Sequence, residues 1–293
     1  MTSLIHRQGP AHSTPARPGR AALADALRNA TYEVLPFKSA EEMVLAHVPT
    51  EVALTVTTTQ AKGLEPTIAL AVRLGRQGYR VAPHLAARQV RDHAHLTDVV
   101  AQLREAGIDR VFVIGGDGEN AGDYPDALSL LEALEEIGHP FTFVGIGGYP
   151  EGHGKIPGEV LEQALGAKAP HATLIITQLC FDAGTTIDWA RTVRARGVTL
   201  PIEVGIPGAI SRQKLIRVSA GLGLGQSAKF LTKQQSMLWR FFLPGGYSPN
   251  KLVERLTPAF ARDDSGLRGF HVFTFNDLES TEDWRQRWLA RLA

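Results

Sequence analysis

Eight short runs rich in β-branched and aromatic residues punctuate this chain, and helical patterns separate them. The runs are TYEVLPF (31–37), VALTVTT (52–58), RVAPHL (80–85), DRVFVIG (109–115), FTFVGIGG (141–148), TLIITQLCF (173–181), PIEVGIPG (201–208) and GFHVFTFN (269–276). Each is nearly continuous in apolar character, as parallel strands buried on both faces are. Between them, apolar residues recur at helical spacing. In residues 94–107, Leu96, Val99, Val100 and Leu103 share a face and Gly107 ends the run. Residues 65–77, 126–138, 156–166, 185–197 and 211–220 repeat the pattern, and 39–47 is its shortest version. Eight strand–helix alternations over roughly 260 residues predict a closed (β/α)8 barrel, a TIM barrel. An open doubly wound sheet is the rival, but it would carry a glycine fingerprint after its first strand. EVLPFKSAEE has none. Residues 225–246 and 248–262 predict extra helices between strands seven and eight, and TEDWRQRWLARL closes the chain.

Composition narrows the rest. The chain has 293 residues, 44% hydrophobic and 21% charged, which suits one barrel domain over 21–293. A net charge of +1 leaves no global field to select nucleic acid or an anionic membrane. No apolar run approaches the roughly 18 residues of a membrane helix. The single cysteine, Cys180, excludes an internal disulfide and fits a reducing cytoplasm, where it reads as a small buried apolar residue. Residues 1–20 hold three Arg, two His and three Pro and no acid. They read as a disordered tail, with an organelle transit peptide as the alternative. Residues 21–29 then read as a short amphipathic helix.

In a barrel of this kind, function gathers where strands end. The strand ends carry Glu33, Pro36, Thr57, Thr58, Gln60, His84, Gly115, Asp117, Tyr149, Glu151, Gln178, Asp182, Pro207 and Asn276. Glycines flank Asp117 in IGGDG and let a flat ligand approach the backbone; an Asx turn or cap explains the same acid on that stretch alone. No metal set is expected: HExxH and CxxC are absent, and His93 and His95, two apart, point to different helix sides. SAGLGLGQS (219–227) has the look of a phosphate cradle but falls at the wrong end of the barrel, so it reads as a helix stop. MLWRFFLP (237–244) reads as helix core, with a subunit interface, and hence a homo-oligomer, as the other reading.

Several of these pieces recur together, in order, in one known family. YEVLPF, TVTTTQAKG, APHL, GGDG, GYPEGH, ITQLCFD, GIPGAIS and FHVFTFN resemble the successive strands of the methylenetetrahydrofolate reductase barrel, over residues 31 to 278. The resemblance implies reduction of 5,10-methylene-tetrahydrofolate to 5-methyl-tetrahydrofolate, with a hydride from NAD(P)H. It makes Glu33 the acid that protonates a ring nitrogen so that the five-membered ring opens to an iminium. It makes Asp117 the carboxylate beside the pteridine and Gln178 the amide that hydrogen-bonds it. Thr57, His84, Gly116 and Tyr149 fall at cofactor-contacting positions. Arg212 stands where the family has a Phe that stacks on ligands; it is expected to stack or to meet the folate glutamate tail. The chemistry asks for these types: a desolvated carboxyl can hold a proton, a second carboxylate steadies a cation, and an amide pairs donor with acceptor. Val34, Leu35, Pro36 and Phe37 are expected to supply the apolar wall. Taken singly, Glu33 reads as an ion pair inside the barrel and Gln178 as a strand-end cap.

The flavin is where the resemblance departs. The Arg usual before Gly-Asp on strand four is Gly115 here, and the Arg-Lys usual before strand six falls on Gly166 and Ala167, with only Lys168 nearby. FAD's diphosphate therefore loses its expected holders. The expectation is a flavin-independent member passing hydride directly from NAD(P)H to the folate, or in the oxidative direction, with transfer by way of FAD as the other route. The alternative from another class is a non-redox folate-binding barrel that serves as carrier or methyltransferase partner. An unrelated barrel lyase would need a Schiff-base lysine or metal set at a strand end, and neither is found.

Overall fold

In the computed structural model, residues 18–59, 62–118, 122–210 and 248–293 are described. Eight strands close into one parallel barrel in chain order: β1 (Thr31–Val34), β2 (Ala53–Val56), β3 (Val81–Ala86), β4 (Arg110–Ile114), β5 (Phe143–Gly148), β6 (Leu174–Thr177), β7 (Ile202–Pro207) and β8 (Leu267–Phe273). β1 pairs in parallel with both β2 and β8, so no strand edge is left open. The described helices are α1 (Pro18–Arg28), α2 (Ala40–His47), α3 (Glu65–Arg76), α4 (His93–Glu105), α5 (Ala127–Glu136), α6 (Gly158–Lys168), α7 (Ala183–Ala195), α8 (Asn250–Phe260) and α9 (Leu278–Leu292).

The predicted alternation is thus the observed one, with shifted ends. Helix α1 starts at Pro18, inside the stretch expected to be tail. β6 stops at Thr177, so the following LCF belongs to a loop whose Asp182 accepts from Thr185 N at 2.7 Å and starts α7. Of the extra helices expected between β7 and β8, α8 is described. The helix at 211–220, the rest of that insertion, the segments at 219–227 and 237–244, Gln60 and residues 1–17 lie outside the described residues.

Two apolar layers hold the barrel. Alternate strand residues face out to the helices: Tyr32 and Val34, Leu54 and Val56, Val111 and Val113, Val204 and Ile206 belong to the large outer core. Their neighbours in sequence face in, because side chains alternate across a strand. Phe112, Leu174 and Ile176, with Ile114 and Phe143, form a separate inner cluster. Gly205 lets β7 lie close to the β6 end: a Cβ there would sit 2.4 Å from the Thr177 carbonyl oxygen. Helix α9 is tied to β1 and to α8. Its Glu282 accepts from the Tyr32 hydroxyl at 2.8 Å and from the Arg285 guanidinium, all three side chains being buried. Asn250, at the start of α8, accepts from the indole N–H groups of Trp284 and Trp288. Aspartates cap three helices: Asp92 on α4, Asp126 on α5 and Asp182 on α7. Asp126, not Asp117, is thus the cap of the helix that follows β4.

Candidate active site

Glu33 is the inward residue near the carboxyl end of β1. Its neighbour Val34 faces out into the helix layer, so Val34 is not part of the wall around it. The side chain of Glu33 is 14% exposed, and its Oε2 stands 3.4 Å from His271 Nε2 and 3.7 Å from His84 Nε2. In place of Val34, the Glu33 carboxyl meets two imidazoles and the rings that flank them. His84 meets the Phe112 ring edge-on at 4.6 Å, and His271 meets Phe273 at 5.1 Å. Burial pulls the His84 imidazole down to about 4, against the opposing pull of Glu33 and with help from His271. A neutral ring results at neutral pH.

The backbone of Glu33 is fixed by the turn after β8. The Thr274 hydroxyl donates to the Glu33 carbonyl oxygen at 2.6 Å. Asn276 clamps Leu35 twice: its Oδ1 accepts from Leu35 N at 2.8 Å and its Nδ2 donates to Leu35 O at 2.9 Å. That clamp requires Phe275 and Asn276 at φ 51° and 56°. Left-handed backbone at a bulky Phe is uncommon and costs energy, and here the surrounding bonds impose it beside the acid.

The remaining predicted residues ring the same end of the barrel. Thr57 N donates to Val34 O at 2.9 Å, which sets Thr57 beside β1. Gly116 has φ 84°, and a Cβ there would meet Ala86 Cβ at 3.1 Å, so the turn after β4 packs on the end of β3. Asp117 on that turn is exposed, and its charge reaches the Tyr149 hydroxyl, which burial first and Asp117 second push up. The Tyr149 ring folds back over Gly147. Gln178 N donates to Gly148 O at 2.7 Å, and its Oε1 accepts from Leu179 N at 2.8 Å. The side-chain carbonyl of Gln178 thus has a local partner, as a strand-end cap would. β4 and β6 each stand three places from β1 around the ring, in opposite senses. Among the described residues no hydrogen bond or ion pair joins Glu33 to Asp117 or Gln178. Arg212 lies outside the described residues.

Sequence reasoning passed over two side chains that the structure brings into play, and gave Glu151 no role beyond its place at a strand end. His271 is fully buried beside Glu33. A lone ionisable residue inside FHVFTF, two before the strand end, was the available signal. Glu203, the only acid in PIEVGIP, lies inside the barrel on β7, and burial pushes its carboxyl up. Glu151 acts on its own surroundings. Its Oε1 accepts from Phe181 N at 2.6 Å and from Asp182 N at 2.9 Å, which shapes the loop after β6.

The positions expected to hold a diphosphate give little purchase. A Cβ at Gly115 or at Gly166 would meet nothing within 4 Å. Lys168 turns inward: it is 9% exposed, its Nζ points to Gly147 O at 3.5 Å, and burial pulls its ammonium down. Arg88 is near the β4 turn, but its guanidinium donates to Gly118 O at 2.8 Å and Pro125 O at 2.9 Å. A groove between α6 and α7 on the outer wall, lined by Leu161, Trp189 and Arg196, extends to Gly148 and Tyr149 at the end of β5. The Cys180 thiol is buried and pushed up to about 12, which leaves it inert. Among the described residues no three His, Cys, Asp or Glu gather as a metal set, and no helix is long and apolar enough to cross a membrane.

Comparison with solved structures recovers the architecture. A candidate deoxyribose-phosphate aldolase from Toxoplasma gondii matches with a TM-score of 0.50 at 13% identity, covering 92% of this chain and 98% of that one. A candidate phosphonomutase from Burkholderia cenocepacia gives 0.43 at 14% identity, covering 64% and 82%. At such identities the first shares the barrel alone. Sequence comparison goes further. Methylenetetrahydrofolate reductase 2 of Saccharomyces cerevisiae is 28% identical over 126 residues, covering 38% of this chain and 20% of that protein. This chain therefore spans only a fifth of that relative's length. The family model described as methylenetetrahydrofolate reductase matches residues 28–223, about two thirds of the chain, from the start of β1 to beyond β7. With Glu33, Asp117 and Gln178 all inside that match, the chain belongs to the methylenetetrahydrofolate reductase family.

Proposed function

We propose that this protein is an oxidoreductase that reduces 5,10-methylene-tetrahydrofolate to 5-methyl-tetrahydrofolate with NAD(P)H. The observation that carries the reading is the placement of Glu33: a carboxyl inside the mouth of a barrel of this family, faced by two buried imidazoles. Ring opening needs a proton at a ring nitrogen. Glu33 supplies it from a site that water reaches poorly. The iminium that results is a cation, and the Asp117 carboxylate on the β4 turn stabilises it electrostatically. Gln178 offers its amide N–H to the pteridine edge while its carbonyl stays bound to Leu179 N. Thr57, His84, Gly116 and Tyr149 shape the cavity, and Arg212 is assigned to the outer part of the substrate. NAD(P)H, when bound, supplies the hydride that reduces the methylene carbon. The same groups serve the oxidative direction by reversal.

The reading includes direct hydride transfer without flavin. The residues at the diphosphate positions do not fit FAD: Gly115 and Gly166 carry no base, and Lys168 and Arg88 donate to backbone carbonyls. A stoichiometric yellow flavin released from purified, denatured protein would end that part of the proposal. The reaction itself is tested by NADH and NADPH oxidation with methylene-tetrahydrofolate. Glu33→Gln is expected to lose about 10²-fold or more in turnover, the usual size of a general-acid effect. An unimpaired variant removes Glu33 from the role. Folate binding by the wild type without any oxidation of either donor replaces the reductase with a folate-binding barrel.

A further inference from the structure

One level below Glu33, the barrel holds a second carboxyl that the proposed reaction leaves unused. Glu203 on β7 is set against Gly269 on β8, where a Cβ would approach Glu203 Cγ to 3.5 Å, so the missing side chain gives Glu203 room to turn. The Thr31 side chain lies beside the Glu203 carboxyl and favours its charged form. Thr31 is also the residue that pairs with His271 across the seam of β1 and β8. The head of Glu203 therefore lies at the level of the His271 ring, and the ring reaches up to Glu33.

Among the described residues, two buried atoms at this level have no hydrogen-bond partner: Glu203 Oε2 and His271 Nδ1. Unpaired buried polar atoms are costly, and these two are complementary. A protonated carboxyl is a donor, and Nδ1 of a neutral imidazole whose Nε2 bears the hydrogen is an acceptor. We propose that Glu203 is a positioning residue for the reaction assigned above: as a neutral acid it donates to His271 Nδ1. This fixes the tautomer in which Nε2–H donates to Glu33 Oε2. Glu33 Oε1 is left as the oxygen that carries the transferable proton toward the mouth. The inference rests on the reductase reading for its catalytic meaning but not for its geometry.

The surroundings favour a neutral Glu203. Burial dominates its behaviour and pushes it up, while His271, Thr31, Arg110 and Arg80 pull the other way. Arg80 is exposed at the barrel floor, and Arg110 lies over the Phe143 ring at 4.8 Å. The groups facing His271 are Glu33 from β1, His84 from β3, Phe112 from β4, Glu203 from β7 and Phe273 from its own strand. None of these is a cation in contact with Glu203 when His84 is neutral.

Nitrogen-15 NMR of histidine-labelled, full-length protein without substrate reads the tautomer directly. His271 is expected to show a protonated Nε2 and a bare Nδ1 in the wild type. Glu203→Gln, whose amide N–H donates to the same nitrogen, is expected to keep that signature and most of the turnover. Glu203→Leu, with no donor, is expected to lose the fixed tautomer and about tenfold or more in turnover, the size of effect seen when a partner that orients a functional histidine is removed. A protonated Nδ1 in the wild type overturns the proposal, and so does a Leu variant with the wild-type signature. Should the Leu variant fail to fold, the wild-type and Gln spectra still decide. A wild type with the expected tautomer but no NAD(P)H oxidation refutes the reductase reading and leaves the Glu203–His271 pairing standing.

Discussion

The inside of the barrel has two unlike halves. Inward positions on β1, β2, β3, β7 and β8 carry Glu33, Thr55, His84, Glu203 and His271. Those on β4, β5 and β6 carry Phe112, Phe143, Leu174 and Ile176, joined in one apolar cluster. The halves depend on each other. The apolar half fills volume and excludes water, which makes charge on the other half costly and hydrogen bonding there valuable. Phe112 joins them, since its ring meets His84 edge-on on one side and packs on Leu174 and Ile176 on the other.

The largest effect that would test this division is expected from Phe112→Ala. Deleting a buried ring at the junction should cost about 3–5 kcal/mol of unfolding free energy. Denaturant titration measures it; a loss below about 1 kcal/mol would mean that the apolar half does not behave as a packed core. Next comes the pH dependence of stability. His84 is held near 4 in the fold and titrates near 6.5 when unfolded. The unfolded chain therefore binds its proton first as pH falls. Stability from this ring is complete above about 6.5, declines as pH drops toward 4, and levels off below, a span of about 3 kcal/mol. Urea melts across that window should show the decline, and His84→Gln should flatten it. An equal slope in the variant would assign the decline to other groups.

A smaller effect, with the opposite sign, is expected on β2. Thr55 pairs in register with Glu33, and its buried hydroxyl has no partner among the described residues. Replacing it by a methyl in Thr55→Val should hold or raise stability by about 1 kcal/mol. A clear loss would show that the hydroxyl belongs to the polar half's bonding. Asp117→Asn should change stability least, within about 0.5 kcal/mol, because the residue is exposed on a turn. Its turnover should nonetheless fall by about 10²-fold if the carboxylate faces the developing cation. Unchanged turnover would return Asp117 to the role of a turn residue.

The alternation of elements was legible because its causes are local. Buried parallel strands need continuous apolar runs, and TYEV, RVFVI and LIIT supply them whatever surrounds them. Helix starts have local causes too, since Asp92 and Asp126 cap by reaching three residues along their own backbone, a signal the sequence reading did not use. The identity of the strand-one acid could be read from YEVLPF in its ordered company. Its environment could not. Val34 was expected beside Glu33 because it is adjacent in sequence, yet the pleat turns it to the opposite face. His271 and Glu203 went unremarked inside apolar strands, since nothing local marks a polar residue as the neighbour of something far along the chain; His271 meets Glu33 across 238 positions.

By itself, the sequence determined the eight-fold alternation, the family and the candidate acid, because strand and helix patterning and strand-end motifs act over a few residues. Only the tertiary structure decided which residues meet inside. Barrel closure sets β8 against β1, and that register alone brings His271 to Glu33 and places Glu203 beneath them. Hydrogen bonds and burial act over a few ångströms of space, whatever the distance along the chain.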